Sequence, residues 1–131
     1  MSRNLTLLAT LYAVSAAPVA ADAALECGVQ VSTQVEIASC VAAQVDIANQ
    51  ALNETVGFAQ DAAAELDGVT ERDDAVPALA EAQTAWLAYR DAQCSYSGAL
   101  FGGGSGAGIA EGACHVTLTR ARIAELLALL P

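Results

Sequence analysis

The chain has 131 residues, a formal net charge of −10 and 55% hydrophobic residues, which is enough for one small domain with a modest core. It contains fifteen acidic residues, five arginines and no lysine, and this charge repels nucleic acid and anionic membrane surfaces. These properties exclude DNA and RNA binding and favour basic partners, although acidity on its own also serves solubility.

The first 21 residues have the pattern of a secretory signal peptide. A positively charged start precedes an almost wholly apolar run over residues 5–19. Small residues then occupy the positions that a signal peptidase recognises for cleavage after Ala21 or after Ala23. The apolar run is too short to span a bilayer, and the alternative interpretation is an amphipathic or buried N-terminal helix. We expect removal of residues 1–21 on export. The mature domain, residues 22–131, would then work in the periplasm or as a secreted protein, with no insertion in a membrane.

The mature part has few aromatic side chains to build a core. It contains four cysteines: Cys27, Cys40, Cys94 and Cys114. In an oxidising compartment an even number of cysteines indicates two disulfides. Four cysteines allow three pairings. We favour Cys27 with Cys40 and Cys94 with Cys114, because the second bridge would close a glycine-rich loop and join two helices. Such a bridge is worth roughly 3 kcal/mol on a chain-entropy estimate.

An irregular lead-in is expected over residues 22–31, before the first of three predicted helices. The Thr33-x-x-Glu36 sequence has the form of a capping box, and apolar residues then recur at helical spacing as far as Leu66. Gly68 is the predicted end of this long helix.

The second predicted helix has Pro77 in its first turn, Asp73 or Asp74 as its cap, and ends at about Cys94. Its inward face is expected to combine four residues at helical spacing, Leu79, Ala82, Trp86 and Tyr89.

A segment rich in glycine and serine, residues 95–108, separates this helix from the third, which begins between Gly106 and Cys114. The third helix has an inward stripe of Val116, Thr119, Ile123, Leu126 and Leu130. No alternation typical of strands stands out. The sequence therefore predicts an all-α fold, a small bundle of about three helices held together by two disulfides.

The second half of the chain carries a specific combination of residues. Around the last two cysteines lie Gln83, Trp86, Tyr89, Arg90, Asp91, Ser105, Thr119 and Arg122. This combination resembles the LprI-type lysozyme inhibitor family of small exported bacterial proteins. The resemblance covers about Cys27 to Leu130, and its weaker first half depends on Cys27, Cys40 and the Leu52-Asn53 pair. It implies an all-helical periplasmic domain without enzymatic activity, and, for characterised members, binding and inhibition of lysozyme.

Several motif residues allow both a structural and a functional interpretation. Trp86 and Tyr89 can face a ligand, but their register favours core packing. Arg90 and Asp91 can grip a partner, but such residues more often satisfy helix ends or loop carbonyls.

Other polar residues point to structure more than to chemistry. Arg122 and Thr119 are expected to stabilise the same corner of the fold as Arg90 and Asp91, because a buried arginine needs several acceptors. Ser105 lies in a glycine run but lacks the Gly-Lys-Ser/Thr of a phosphate loop. His115 is the only histidine, which disfavours a zinc site and a Ser-His-Asp triad. We expect no catalytic residue, metal or cofactor.

Two functions remain open from sequence. In the first, the mature chain has four arginines against fifteen acidic residues, a net charge of −11, and is steered onto a basic lysozyme or another basic cell-wall-active protein. Its glycine loop would present Tyr96, Phe101 and Ser105 to that partner. In the second, it is an envelope scaffold domain with another partner, including a second copy of itself. A hydrolase is disfavoured because no nucleophile and base stand out.

Overall fold

A computed structural model describes residues 22–131, and the predicted signal peptide lies outside the described residues. The described part contains no strand and consists of four helices: α1 (Ala23–Gly28), α2 (Gln34–Thr70), α3 (Ala75–Ala99) and α4 (Ala107–Ala128). The three long helices run up, down and up, and α1 packs against α2 and α4. The predicted all-α bundle is confirmed.

Both disulfides are present and have the pairing favoured from the sequence. Cys27–Cys40 joins α1 to α2, with 5.9 Å between the Cα atoms. Cys94–Cys114 joins α3 to α4, with 5.3 Å between the Cα atoms. Because disulfides persist in oxidising compartments, the two bridges fit a location outside the cytoplasm. Within residues 22–131, none of the helices combines the length and the apolarity needed to cross a membrane.

The segment expected to be irregular contains the short helix α1. Asp22 caps it, since its Oδ1 accepts a hydrogen bond from the N–H of Ala24 at 3.0 Å. Ala23 and Cys27, one turn apart, are both 0% exposed. The prediction was wrong here because six residues are too few to show a helical period, and packing plus the disulfide hold this helix in place.

The start of α2 was predicted correctly and its end was not. Thr33 and Glu36 form the reciprocal capping box, with Thr33 N–H to Glu36 Oε2 at 3.1 Å and Glu36 N–H to Thr33 Oγ1 at 3.2 Å. The helix continues through Gly68 to Thr70. It ends where Glu71 takes the left-handed conformation, with φ of 55°. Glycine weakens a helix but does not end it unless the chain turns there.

The start of α3 is capped by the preceding helix. The carboxylate of Asp67 accepts hydrogen bonds from the backbone N–H groups of Asp74, Ala75 and Val76, at 3.2, 2.9 and 3.0 Å. These bonds, led by that from Val76, lower the pKa of Asp67. Asp74 occupies the N-cap position but makes no side-chain cap bond. The predicted cap position at Asp74 is therefore confirmed, but the side-chain hydrogen bonds that cap the helix come from Asp67.

Small residues let α4 approach both of its neighbours closely. The helix α3 extends past Cys94 to Ala99, so that Gly98 faces α4. A Cβ atom at Gly98 would lie 3.2 Å from a backbone oxygen at the start of α4. A Cβ atom at Gly112 would lie 2.8 Å from Val41 Cγ1 on α2. Glycine at these two positions therefore sets the spacing of the bundle.

The inward stripe of α4 is confirmed, since Val116, Thr119 and Leu126 are buried. Ile123 and Leu130 are half-buried.

The predicted inward face of α3 is confirmed for two of its four residues. Leu79 and Trp86 are half-buried, but Ala82 is exposed and the side chain of Tyr89 is 55% exposed. Core packing of Tyr89 was therefore a wrong expectation. Polar residues take the inward positions instead, and they form the cluster described next.

Candidate functional site

A polar cluster in the middle of the bundle brings together five of the motif residues: Gln83, Trp86, Arg90, Thr119 and Arg122. The guanidinium carbons of Arg90 and Arg122 lie 5.2 and 5.9 Å from the centre of the Trp86 ring. Contacts of this kind are attractive because the face of the indole is electron-rich. The single tryptophan is thus in contact with cationic groups from two helices.

Arg90 connects all three long helices. Its Nη1 donates to Asn49 Oδ1 on α2 at 3.0 Å and to Thr119 Oγ1 on α4 at 3.2 Å. Its Nε pairs with Asp91 at 3.1 Å, and the Arg90 side chain is 11% exposed. The acceptors are thus side chains, two of them on neighbouring helices, and not the helix ends or loop carbonyls expected from the sequence. Asn49 was missed, because one asparagine in a long helix gives no signal.

Arg122 approaches the same tryptophan from α4. Its Nε donates to Gln83 Oε1 on α3 at 3.2 Å, and its Nη1 pairs with Glu125 at 3.2 Å. Gln83 and Glu125 thus accept its hydrogen bonds, whereas Arg122 was expected from the sequence to act together with Thr119. The two buried arginines each have acceptors, as desolvated cations require. The arrangement fixes the register of the helices.

The positions of the arginines leave the surface strongly negative. Arg90 and Arg122 are 11% and 13% exposed. Arg120 makes a two-pronged contact with Glu26, at 2.9 and 3.1 Å, and the hydrogen bond from Arg120 lowers the pKa of Glu26. Arg72 is exposed but pairs with a neighbouring aspartate. Positive charge is therefore drawn inward or neutralised, while most carboxylates remain on the outside.

The loop between α3 and α4, residues 100–106, lies at the end of the bundle held by the second disulfide. Gly102 and Gly103 have φ values of 59° and 79°, which suit glycine. The ring of Phe101 folds back over Gly106, where an added Cβ would lie 3.0 Å from Phe101 Cδ1. Phe101 is nevertheless 56% exposed. The loop therefore holds an aromatic ring in place at the surface.

Aromatic side chains are concentrated at this end of the molecule. Tyr96 is 60% exposed and Tyr89 is 55% exposed. Tyr96 was expected in the loop, but it lies in the last turns of α3 because that helix is longer than predicted. Ser105 is exposed in the loop. Exposed aromatic rings of this kind are common contact residues in protein interfaces.

A groove with a volume of about 750 Å³ runs along α4 at the same end. Residues of α4 between Ile109 and Leu118 line it, together with Gln34, Tyr89, Gln93 and Phe101. No group of three or more His, Cys, Asp or Glu in residues 22–131 is arranged to hold a metal ion.

Comparison with known proteins identifies the family. The family model described as lysozyme inhibitor LprI matches residues 26–126. An uncharacterised protein, R02472 of Rhizobium meliloti (strain 1021), is 46% identical over 52 residues, which are 40% of this chain and 37% of the relative. This alignment thus spans well under half of the relative's length. No solved structure matches the chain. Because the family match covers most of the chain, this protein belongs to the LprI lysozyme inhibitor family.

Proposed function

We propose that the mature chain inhibits a basic lysozyme by docking onto it outside the cytoplasm. The observation that carries this proposal is the group of exposed rings, Tyr89, Tyr96 and Phe101, at the disulfide-held end of a member of this family. Exposed aromatic residues on a rigid support are typical anchors of protein interfaces. The second disulfide and the contact of Phe101 with Gly106 already restrict this end of the molecule. Less conformational entropy is therefore lost on binding.

Electrostatics supports the choice of a basic partner. The net charge of the mature chain is −11, and Arg90, Arg120 and Arg122 are largely buried or paired. A negative surface accelerates association with a positive one, and the effect falls as salt increases. Inhibition would follow because a protein seated at the cleft of a lysozyme excludes the glycan substrate.

The test is turnover of a basic lysozyme on cell-wall substrate in the presence of the purified, oxidised domain. The variant Tyr96→Ala/Phe101→Ala removes two anchors, and Phe58→Ala is the matched control, since Phe58 is 60% exposed on α2. We expect inhibition by the wild type and by the control. The double variant should be weaker by more than about tenfold.

Absence of inhibition at micromolar concentrations across several classes of lysozyme would refute this function. If the double variant inhibits as well as the wild type, these two rings are not the contact surface, although the function stands.

A second candidate, an envelope scaffold that pairs with itself, is favoured by an apolar cleft at the opposite end. This cleft, about 500 Å³, lies between the end of α2, the start of α3 and the end of α4. Leu66 and Leu129 line it and are 53% and 80% exposed. Sedimentation at increasing concentration tests self-association. A dimer that Leu66→Glu abolishes would support this candidate, and a monomer at all concentrations would oppose it.

A further inference from the structure

The groove along α4 is chemically suited to a cation. Tyr89 and Phe101, both more than half exposed, contribute aromatic rings to its lining. Gln34 and Gln93 also line it, and their side-chain oxygens can accept hydrogen bonds. Among the residues that line the groove, Asp22 is the one that is charged, and its charge is negative.

No arginine of the described residues lines this groove. Two of the guanidinium groups are held by other partners, since Arg90 bonds to Asn49 and Thr119, and Arg120 bonds to Glu26. A cationic side chain that enters would therefore meet aromatic rings, amide oxygens and the carboxylate of Asp22.

We propose that this groove receives an arginine or lysine side chain from the surface of the lysozyme, with the ring of Tyr89 against the cationic group. The inference rests on the proposed function and names the chemical group that is recognised. Cation–π attraction is strengthened when both partners are shielded from water. An anionic side chain would be repelled by the net charge, and a purely apolar one would leave the amides of Gln34 and Gln93 unpaired.

The first experiment tests whether binding needs the aromatic ring of Tyr89 or only an apolar side chain at that position. Dissociation constants for a basic lysozyme are measured by calorimetry with Tyr89→Phe, which keeps the ring, and Tyr89→Leu, which removes it. Phe58→Leu is the matched control, since Phe58 is an equally exposed aromatic residue on α2 that does not line the groove. Asp22 is left unchanged because it caps α1. We expect Tyr89→Phe and the control to bind within about twofold of the wild type, and Tyr89→Leu to bind about tenfold more weakly.

A second experiment does not depend on lysozyme. Oxidised wild-type protein is titrated with the tripeptide Gly-Arg-Gly and, separately, with Gly-Gln-Gly, while NMR follows the ring protons of Tyr89 and Phe101. The arginine peptide should shift these signals in a saturable way, and the glutamine peptide should not.

The outcomes are distinguishable. If Tyr89→Leu binds lysozyme as tightly as the wild type, or Tyr89→Phe binds as weakly as Tyr89→Leu, the groove inference is wrong and the proposed function stands. If the wild type binds no lysozyme, the proposed function fails. The peptide titration then decides whether the groove takes a cationic side chain, since selective shifts support that part of the inference and their absence overturns it.

Discussion

Arg90 and Thr119 are hydrogen-bonded across the interface of α3 and α4, with 3.2 Å between Nη1 and Oγ1. Thr119 is 1% exposed, and the same nitrogen of Arg90 also donates to Asn49 on α2. One guanidinium group therefore specifies how three helices are aligned. The core has few large side chains, so apolar packing alone would fix the relative positions of the helices less well than this polar contact does.

The first prediction tests the hydroxyl of Thr119. Thr119→Val keeps the shape of the side chain but removes an acceptor from a buried cation, so the free energy of unfolding should fall by about 1–3 kcal/mol. Thr119→Ser retains the hydroxyl and should lose less. Thr84→Val is the control, since Thr84 is exposed and its hydroxyl bonds only to its own helix. Urea denaturation provides the comparison, and equal stability of Thr119→Val and wild type would contradict the role given to this contact.

The features that were predicted correctly from the sequence depend on local patterns. The capping box at Thr33 and the apolar stripe around Val116 lie within single helices, where spacing alone identifies them. Tyr89 was misplaced because helical period does not say which face is inward when polar residues such as Arg90 occupy the core. Asp67 was missed as a cap because its partners lie across a turn, so the contact exists only once α2 and α3 are antiparallel.

The same limits apply to the candidate site. The motif residues Trp86 and Arg122 were identified from sequence, and the structure brings them together in the interior. Tyr96 and Phe101 were identified as surface candidates, and both are exposed. The groove beside Tyr89 could not be anticipated, because it is formed by all four helices and the loop between α3 and α4, which meet only in the folded state.

The second prediction concerns the two disulfides. They close chain segments of 13 and 20 residues, so replacing either pair by alanine should lower the free energy of unfolding by about 3 kcal/mol. The chain-entropy estimate also makes the Cys94–Cys114 bridge slightly the more stabilising one, because it closes the longer segment. Urea denaturation of the two double variants measures both effects. Retention of wild-type stability by either variant would show that packing alone holds that helix pair.

The third prediction concerns pH and Asp67. Backbone N–H groups of Val76 and its two predecessors lower the pKa of Asp67, so its ionised form stabilises the fold. This stabilisation is present above the ordinary carboxyl pKa and is lost as the pH falls through the lowered value of the folded state. Asp67→Asn should therefore reduce the melting temperature at neutral pH, and the difference from wild type should shrink in acid. Asp61→Asn, at an exposed position on the same helix, is the control. A difference for Asp67→Asn that does not change with pH would contradict the assignment.

The fourth prediction separates two glycines near the loop. Gly106 has φ of −75°, which alanine also adopts, so Gly106→Ala should fold, but its Cβ would press on the ring of Phe101 at 3.0 Å. At Gly108 an added Cβ has no neighbour within 4 Å, and alanine should raise the free energy of unfolding by roughly 0.5–1 kcal/mol. If Phe101 contacts lysozyme, Gly106→Ala should inhibit less well than Gly108→Ala. Equal inhibition constants would mean that the position of the Phe101 ring does not matter.

The last prediction concerns the mature N-terminus. Cleavage after Ala21 would keep Asp22, whose carboxylate caps α1, and Ala23, which is 0% exposed and packs with Ala113 and Val116. Cleavage after Ala23 would remove both the cap and this core residue, so we expect exported protein to begin at Asp22. Intact mass measurement of protein isolated from the periplasm or medium checks this, with mass before and after thiol alkylation confirming the two disulfides. A mature chain that begins at Ala24 would show that the folded domain tolerates the loss of this packing, and an unprocessed chain would refute the signal peptide.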